Sequence, residues 1–401
     1  MSAENVRHIQ QFDAIRGIAA LSVMLSHYVL IFMNSPLSNY HNISSIIGDL
    51  SYTPLGIFWA GRSAVLLFFV LSGYVLFFMI NSASMNYVSF LMKRSLRLYI
   101  PYLLAVFFGV AGEYLFYHGG LPGLNPWLNQ FWSAPITIRS ILYHLLFVDE
   151  FNANHYDFTV WTLVQEMRIS ILFPAILWFM RDKKWWVPVV IFFMLSVLAM
   201  AIRMFALSGG HILSWLTLSG SLTAYIFTPY YIFAFVLGAT LATQRASLQK
   251  WYNRLGIQGR TAVFSIGFFL YYYGPHFISA VGIHHLMVRD WPAIMGAAIL
   301  VLVSAYDLVA IQVLTTPILI YLGKISYSLY LLHAVILLAM LHAFYGVISL
   351  PVLLLLSIGV TFLVSELAYR FVEKPAISIS RRSPQWPIVK RFGKLIKSSE
   401  T

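Results

Sequence analysis

Ten stretches of mostly apolar residues, each about twenty long, run through this 401-residue chain. A helix of about 20 residues is what the hydrocarbon core of a bilayer requires. The stretches fall at about 12–33, 60–80, 96–117, 159–180, 185–205, 222–243, 260–281, 291–311, 325–345 and 349–371. Only 10% of the residues are charged and 60% are hydrophobic, whereas an ordinary globular domain carries about 25% charged residues. A soluble chain with so few charges has no means of covering its own surface, so lipid must cover it. The expected fold class is all-α, a polytopic integral membrane protein of about ten transmembrane helices.

The basic residues set the expected orientation. With the N-terminus inside, 20 of the 26 Lys and Arg fall in inner segments or the C-terminal tail. Four (Arg62, Arg139, Arg203 and Arg289) fall outside, and Arg16 and Arg168 lie within helices. Such a bias is what the positive-inside rule demands, and it puts both termini in the cytoplasm. The net charge of +12 is therefore read as topology rather than as a nucleic-acid footprint. The first apolar stretch is too long for the core of a cleavable signal peptide and is interrupted by Arg16, so it is read as the first membrane helix. Residues 1–376 are expected to form one transmembrane domain, and 377–401 a basic tail at the anionic cytoplasmic leaflet. The longest loop, about 118–158, faces outward and carries Pro122, Gly123, Pro126 and Pro135, so it reads as irregular. Within it, 136–148 is apolar but short, an interfacial or re-entrant piece. The chain has no cysteine, which removes disulfides, thiolate metal sites and a cysteine nucleophile.

Charged groups inside the hydrocarbon are costly, and they point to function. On the first helix, Arg16 and His27 are about 20° apart around the axis and about 16 Å apart along it, with Asp13 within about 60° of both. The plain alternative is a snorkelling Arg16 and a His27 bonded to a neighbouring helix. Glu166 lies about a third of the way into the helix that opens at Trp161, at a depth similar to that of His27. A carboxylate beside an imidazole would hold its tautomer and raise its basicity, as a general base requires. The structural alternative pairs Glu166 with Arg168 or Arg16. Arg94 and Arg97 share a helix face at i and i+3, and two guanidinium forks side by side suit a phosphate or pyrophosphate. Taken alone they also read as an ordinary inner anchor. Ser72 and Gly73 interrupt an apolar helix and allow close packing. His333, Glu113 and Asp307 are weaker signals.

These residues bring a family into view. Phe12-Asp13-Ala14-Ile15-Arg16-Gly17 through Leu21, ending at His27, resembles the opening of the membrane-bound acyltransferase-3 family, typified by O-antigen and Nod-factor acetyltransferases. Its further motifs follow in order: Phe68 to Tyr74; Arg94-Ser95-Leu96-Arg97 with Tyr99-Ile100-Pro101; Trp161 to Glu166, with Thr162 where the family has Ser; Leu322 to His333, containing Ser326 and Tyr330; and Glu373-Lys374-Pro375. The likeness covers about 10–376. It implies acyl transfer, most often of acetyl, from cytoplasmic acyl-CoA to a hydroxyl of a lipid-linked or exported carbohydrate at the inner membrane. The acyl-CoA is a co-substrate, and neither a bound cofactor nor a metal is implied.

On this reading His27 and Glu166 are the catalytic pair, and Arg16, Arg94 and Arg97 hold the CoA phosphates. Asp13, Ser72, Gly73, Trp161, Ser326, Tyr330 and His333 support them, with Ser72 a candidate oxyanion donor. Direct transfer and an acyl-enzyme both stay open. Some relatives carry an extra hydrolase-like domain, for which this chain is too short. Three other readings compete: a proton-coupled transporter, a polyprenyl-linked glycosyltransferase and a structural membrane subunit. The expected partners are acyl-CoA, a carbohydrate and membrane lipid, with no nucleic acid.

Overall fold

A computed structural model describes residues 3–33, 40–81, 86–147, 149, 151–207 and 222–383. Residues 384–401, most of the expected tail, lie outside the described residues.

The described residues are helical from Ala3 onward. α1 (Ala3–Phe32) leads through α2 (His41–Leu50) to α3 (Gly61–Ile80) and α4 (Tyr87–Phe116). A long connection carrying α5 (Ile138–Leu145) delivers α6 (Trp161–Met180), which is followed by α7 (Trp186–Leu207), α8 (Phe227–Thr243) and α9 (Arg245–Asn253). α10 (Ile257–Phe268), α11 (Gly274–Ala280), α12 (Leu286–Tyr306) and α13 (Leu308–Leu314) come next. α14 (Pro317–Phe344), α15 (Leu350–Ala368) and α16 (Lys374–Arg382) close the described chain. α16 runs across the boundary expected at 376.

There is no strand among the described residues, and eight helices are long and apolar enough to cross a membrane. Two of the ten expected spans are not among the eight. The stretch at 222–243 yields the 17-residue α8. The stretch at 260–281 is divided by a π-helical turn, Phe269–Tyr273, just before Gly274-Pro275. Pro275 has no N–H to continue the i→i−4 ladder, and a wide turn absorbs the break. The stretch at 291–311 is cut at Asp307, whose Oδ1 accepts from the Val309 and Ala310 N–H groups (3.0 Å each) and so starts α13. α4 begins nine residues earlier than expected, because Asn86 caps it by accepting from the Ser89 N–H at 2.8 Å. Arg94 and Arg97 consequently sit two to three turns inside a helix rather than at its end. Large apolar side chains cover the outside, with Trp178 77% and Leu355 69% exposed, as a lipid-facing surface requires.

Two glycine crossings set the core. A Cβ on Gly17 would lie 2.6 Å from the Gly323 nitrogen, and one on Gly323 would lie 2.5 Å from the Asp13 carbonyl. α1 and α14 therefore touch backbone to backbone, as small residues permit in membranes. At the second crossing, a Cβ on Gly73 would lie 2.0 Å from the Phe235 carbonyl oxygen, and one on Gly238 would lie 1.9 Å from that of Val70. The close packing expected at Gly73 is thus found between α3 and α8. Gly73→Ala forces these helices apart and should destabilise the protein by about 1–3 kcal/mol. Thermal unfolding in detergent, followed by intrinsic fluorescence, would show a lowered midpoint. An unchanged midpoint would mean that the crossing relaxes without cost.

Candidate active site

The α1–α14 contact propagates from the glycines to a pair of histidines. Gly17 precedes His27 by ten residues, and Gly323 precedes His333 by ten. Parallel helices that touch at the glycines therefore meet again about 15 Å further on. There His27 Nδ1 lies 2.9 Å from His333 Nε2, with the rings stacked at 5.2 Å. His333 is fully buried, and its Nδ1 lies 3.0 Å from the Leu329 carbonyl. A carbonyl only accepts, so His333 Nδ1 carries the proton and the Nε2 of the neutral ring is a lone pair. His27 Nδ1–H must then be the donor. That leaves His27 Nε2 as a free lone pair, with no hydrogen-bond partner among the described residues. Trp127 stacks on the His27 ring at 5.7 Å and Phe158 meets it edge-on at 4.9 Å, so the imidazole is held in one orientation.

His27 lines a cavity of about 330 Å³ together with Arg62, Trp127, Phe158, Trp161 and Tyr330. The Tyr330 hydroxyl shares a 2.8 Å hydrogen bond with Thr162 Oγ1, which ties α14 to α6. Arg62 reaches across from α3 to α12: its Nε and Nη2 donate to the two carboxylate oxygens of buried Asp290 at 2.9 and 2.6 Å. Nη2 also donates to the Tyr231 hydroxyl at 2.7 Å, and the guanidinium lies over the Trp161 ring at 5.4 Å. A bidentate, stacked guanidinium is a strong and oriented contact. The sequence reading counted Arg62 only as an outer-side charge and passed over Asp290. An unpaired acidic residue beside an apolar run was the only signal.

The expected meeting of Glu166 with His27 is not found. Residues 157–160 are buried, so the loop dips into the bundle and α6 begins below its surface. Phe158 and Thr159 occupy the level of His27, and Glu166 lies about two turns deeper. Glu166 instead forms an ion pair with Arg94 and accepts from Ser72 Oγ at 2.7 Å. The Ser72 hydroxyl hydrogen is thereby engaged by Glu166, and Ser72 is not among the residues lining the cavity beside His27. Arg94 is buried and also donates to Ser170 Oγ at 3.3 Å. Arg168, the alternative partner, instead donates to the Thr223 carbonyl at 2.6 Å.

Arg16 pairs with Asp13 at 3.0 Å and lies within electrostatic reach of Arg94, Arg97 and Glu166. Arg16 on α1 therefore feels the charges of Arg94 and Arg97 on α4. Arg97 is exposed there and has no ion pair within 4 Å among the described residues. Ser326 is buried and donates to the Gly323 carbonyl at 2.8 Å, supporting the glycine crossing. Glu373 accepts from Ser328 Oγ at 2.6 Å and ties the π-helical turn after α15 (Tyr369–Glu373) to α14.

The roof of the cavity is pinned by Asp157. Its Oδ1 accepts from the Thr159 N–H at 2.9 Å and from Thr159 Oγ1 at 2.7 Å, while its buried Oδ2 has no partner among the described residues. Burial pushes this carboxyl up to about 7. A raised folded value means that the unfolded chain gives up the proton first. Stability should therefore fall as pH rises from about 4, and level off above about 7. Asp157→Asn removes that slope. The midpoint of Asp157→Asn relative to wild type should rise between pH 4 and 7, and parallel curves would contradict a buried, proton-bearing Asp157.

Fold and site define the class first: a multi-pass membrane protein that holds titratable groups inside its bundle, which marks a working interior. The family is shown by comparison. The model of the acyltransferase-3 family, described as an acyltransferase domain, matches residues 9–370, and the chain belongs to that family. That membership favours the enzyme reading over the transporter and structural-subunit readings. Three Staphylococcus aureus proteins, from strains COL, MSSA476 and MRSA252, are each named "Putative O-acetyltransferase" and are 37% identical to it over 65 residues. That stretch is 16% of this chain and spans only 11% of each relative's length. No solved structure matches the chain significantly.

Proposed function

We propose that this protein is an acyltransferase that moves an acyl group, acetyl in the first instance, from cytoplasmic acyl-CoA to a hydroxyl of a cell-surface or exported carbohydrate, with His27 as the general base. The observation that carries the reading is the hydrogen-bond chain from the Leu329 carbonyl through His333 to His27. It leaves the one lone pair of His27 free in a residue that lines a cavity.

The acceptor hydroxyl gives its proton to His27 Nε2 as its oxygen bonds to the acyl carbon. The thioester C–S bond then breaks, and the departing CoA sulfur takes the proton back from the imidazolium. His333 orients His27, the part first assigned to Glu166. Arg62, oriented by Asp290, contributes positive charge beside the developing oxyanion. The aromatic lining of Trp127, Phe158, Trp161 and Tyr330 suits the apolar faces of a sugar ring.

Arg16, Arg94 and Arg97 are assigned to the CoA phosphates, with Arg97 the most accessible and Glu166 holding Arg94 in place. Arg16 and His27 are about 16 Å apart along α1, a gap the pantetheine arm of CoA bridges. The orientation proposed is N-in and C-in across the inner membrane, with α8 and the α10–α11 pair completing ten spans. The first experiment measures ester-linked acyl groups on envelope and exported polysaccharide by proton NMR, in cells with and without the protein. Loss of acyl signals without it is expected, and identical spectra would overturn the reading.

A further inference from the structure

A second cavity, of about 190 Å³, adjoins the first, and Gly61 and Arg62 line both. Its wall includes Trp59, Tyr272, His276 and Arg289. We propose that this cavity is a binding subsite for an anionic sugar unit, carrying a carboxylate or phosphate, next to the sugar that is acylated. The proposal rests on the glycan-acceptor reading above and deepens it.

Charge decides the ligand class. Asp290 also lines this cavity, but its two oxygens are taken up by Arg62, and Tyr230 donates to Oδ2 at 3.2 Å. Arg289 is therefore the uncompensated charge. Its Nε donates to the Pro275 carbonyl at 3.2 Å, and its two terminal nitrogens have no hydrogen-bond partner among the described residues. Anchored through Nε, the guanidinium fork is presented as carboxylate and phosphate recognition requires.

The remaining wall suits a sugar. His276 Nδ1 lies 2.9 Å from the Tyr272 carbonyl, so it carries the proton and its Nε2 is left to accept from a hydroxyl. Trp59 and Tyr272 are held rigidly, the first by a 2.9 Å bond to Ser51 Oγ and the second by a 2.6 Å bond to the Ser51 carbonyl. They offer flat apolar faces at no ordering cost. Because Arg62 is the partition between the cavities, two adjacent units of one chain can lie on either side of it.

The test uses the full chain in proteoliposomes with acetyl-CoA. The acceptor is the unacylated polysaccharide purified from cells carrying His27→Ala. Arg289→Ala should raise the KM for this acceptor about tenfold, the loss expected for one charge-assisted contact, with the effect on KM rather than kcat. Arg289→Lys should recover most of it. Carboxyl reduction of the polysaccharide, or dephosphorylation with hydrofluoric acid, identifies the anion. Whichever treatment matters should raise the KM of wild type to the level of Arg289→Ala and leave that variant's KM unaltered.

A native acceptor without anionic groups, or a wild-type enzyme indifferent to both treatments, would overturn the subsite while the acyl-transfer reading stands. An Arg289→Ala variant that still responds to the treatment would do the same. Equal acyl content in wild-type and His27→Ala cells would overturn the underlying reading, and the subsite with it.

Discussion

His27→Ala lowers acyl transfer by roughly 10²–10⁴-fold, the contribution usual for a positioned general base, with the protein still present in the membrane. His27→Gln should be equally inactive although it keeps the side chain's size, because an amide does not accept the proton. His333 gives the sharper test of the proposed arrangement. It does not line the cavity and acts only through His27, accepting the hydrogen bond from its Nδ1–H. His333→Ala should lower kcat by less than His27→Ala does and leave acceptor KM near its wild-type value. His333→Gln, which restores a hydrogen-bond acceptor, should recover part of the rate. Wild-type activity in His27→Gln would remove the general base. No recovery in His333→Gln would reduce His333 to a packing residue.

The second large effect concerns stability. Arg94 and Glu166 form a buried ion pair between α4 and α6, with 10% and 19% of their side chains exposed. Removing one partner leaves a charge in a low-dielectric interior, at a cost of about 3–5 kcal/mol. Arg94→Ala should therefore lower the thermal midpoint strongly. Replacing both residues by apolar ones of similar volume, Arg94→Met with Glu166→Leu, should restore most of the loss, since the net worth of a buried pair against apolar packing is small.

The double variant also separates stability from chemistry. A folded double variant with weakened acyl-CoA binding and unchanged acceptor KM is expected, because the pair stands with Arg16 and Arg97. A double variant as unstable as Arg94→Ala would show that this ion pair is not what the bundle needs. A specific rise in acceptor KM would return Glu166 to the neighbourhood of His27.

Much of the helical architecture was legible before the structure. Apolar runs of bilayer length left few alternatives, because in hydrocarbon every backbone polar group must be satisfied within its own helix. The failures came where length alone was used as evidence. Pro275 and Asp307 break otherwise apolar runs through a missing donor and a capping carboxylate, both local effects that a hydropathy window averages away. The start of α4 was misplaced because residues 87–95, a mixed run interrupted by Ser89, Lys93, Arg94 and Ser95, continue the helix from the Asn86 cap.

Of the site, the shared face of Arg94 and Arg97 was read from helical phase, since neighbours along one helix are set by 3.6 residues per turn. Contacts between helices were not. His27 was paired with Glu166 by counting depth from helix ends, and that count assumed that α6 starts at the bundle surface. The buried turn at 157–160 lowers its start, gives the level of His27 to Phe158 and Thr159, and sends Glu166 to Arg94. The true partner of His27 did leave a trace: Gly17 and Gly323 each precede a histidine by ten residues. That trace has meaning only once the two glycines are known to touch. Periodicity and composition act within a segment, so they dictated which residues become helix and which face each presents. The partner that a face meets depends on how deep and at what angle separate helices cross, and close backbone packing at Gly17, Gly73, Gly238 and Gly323 settled that.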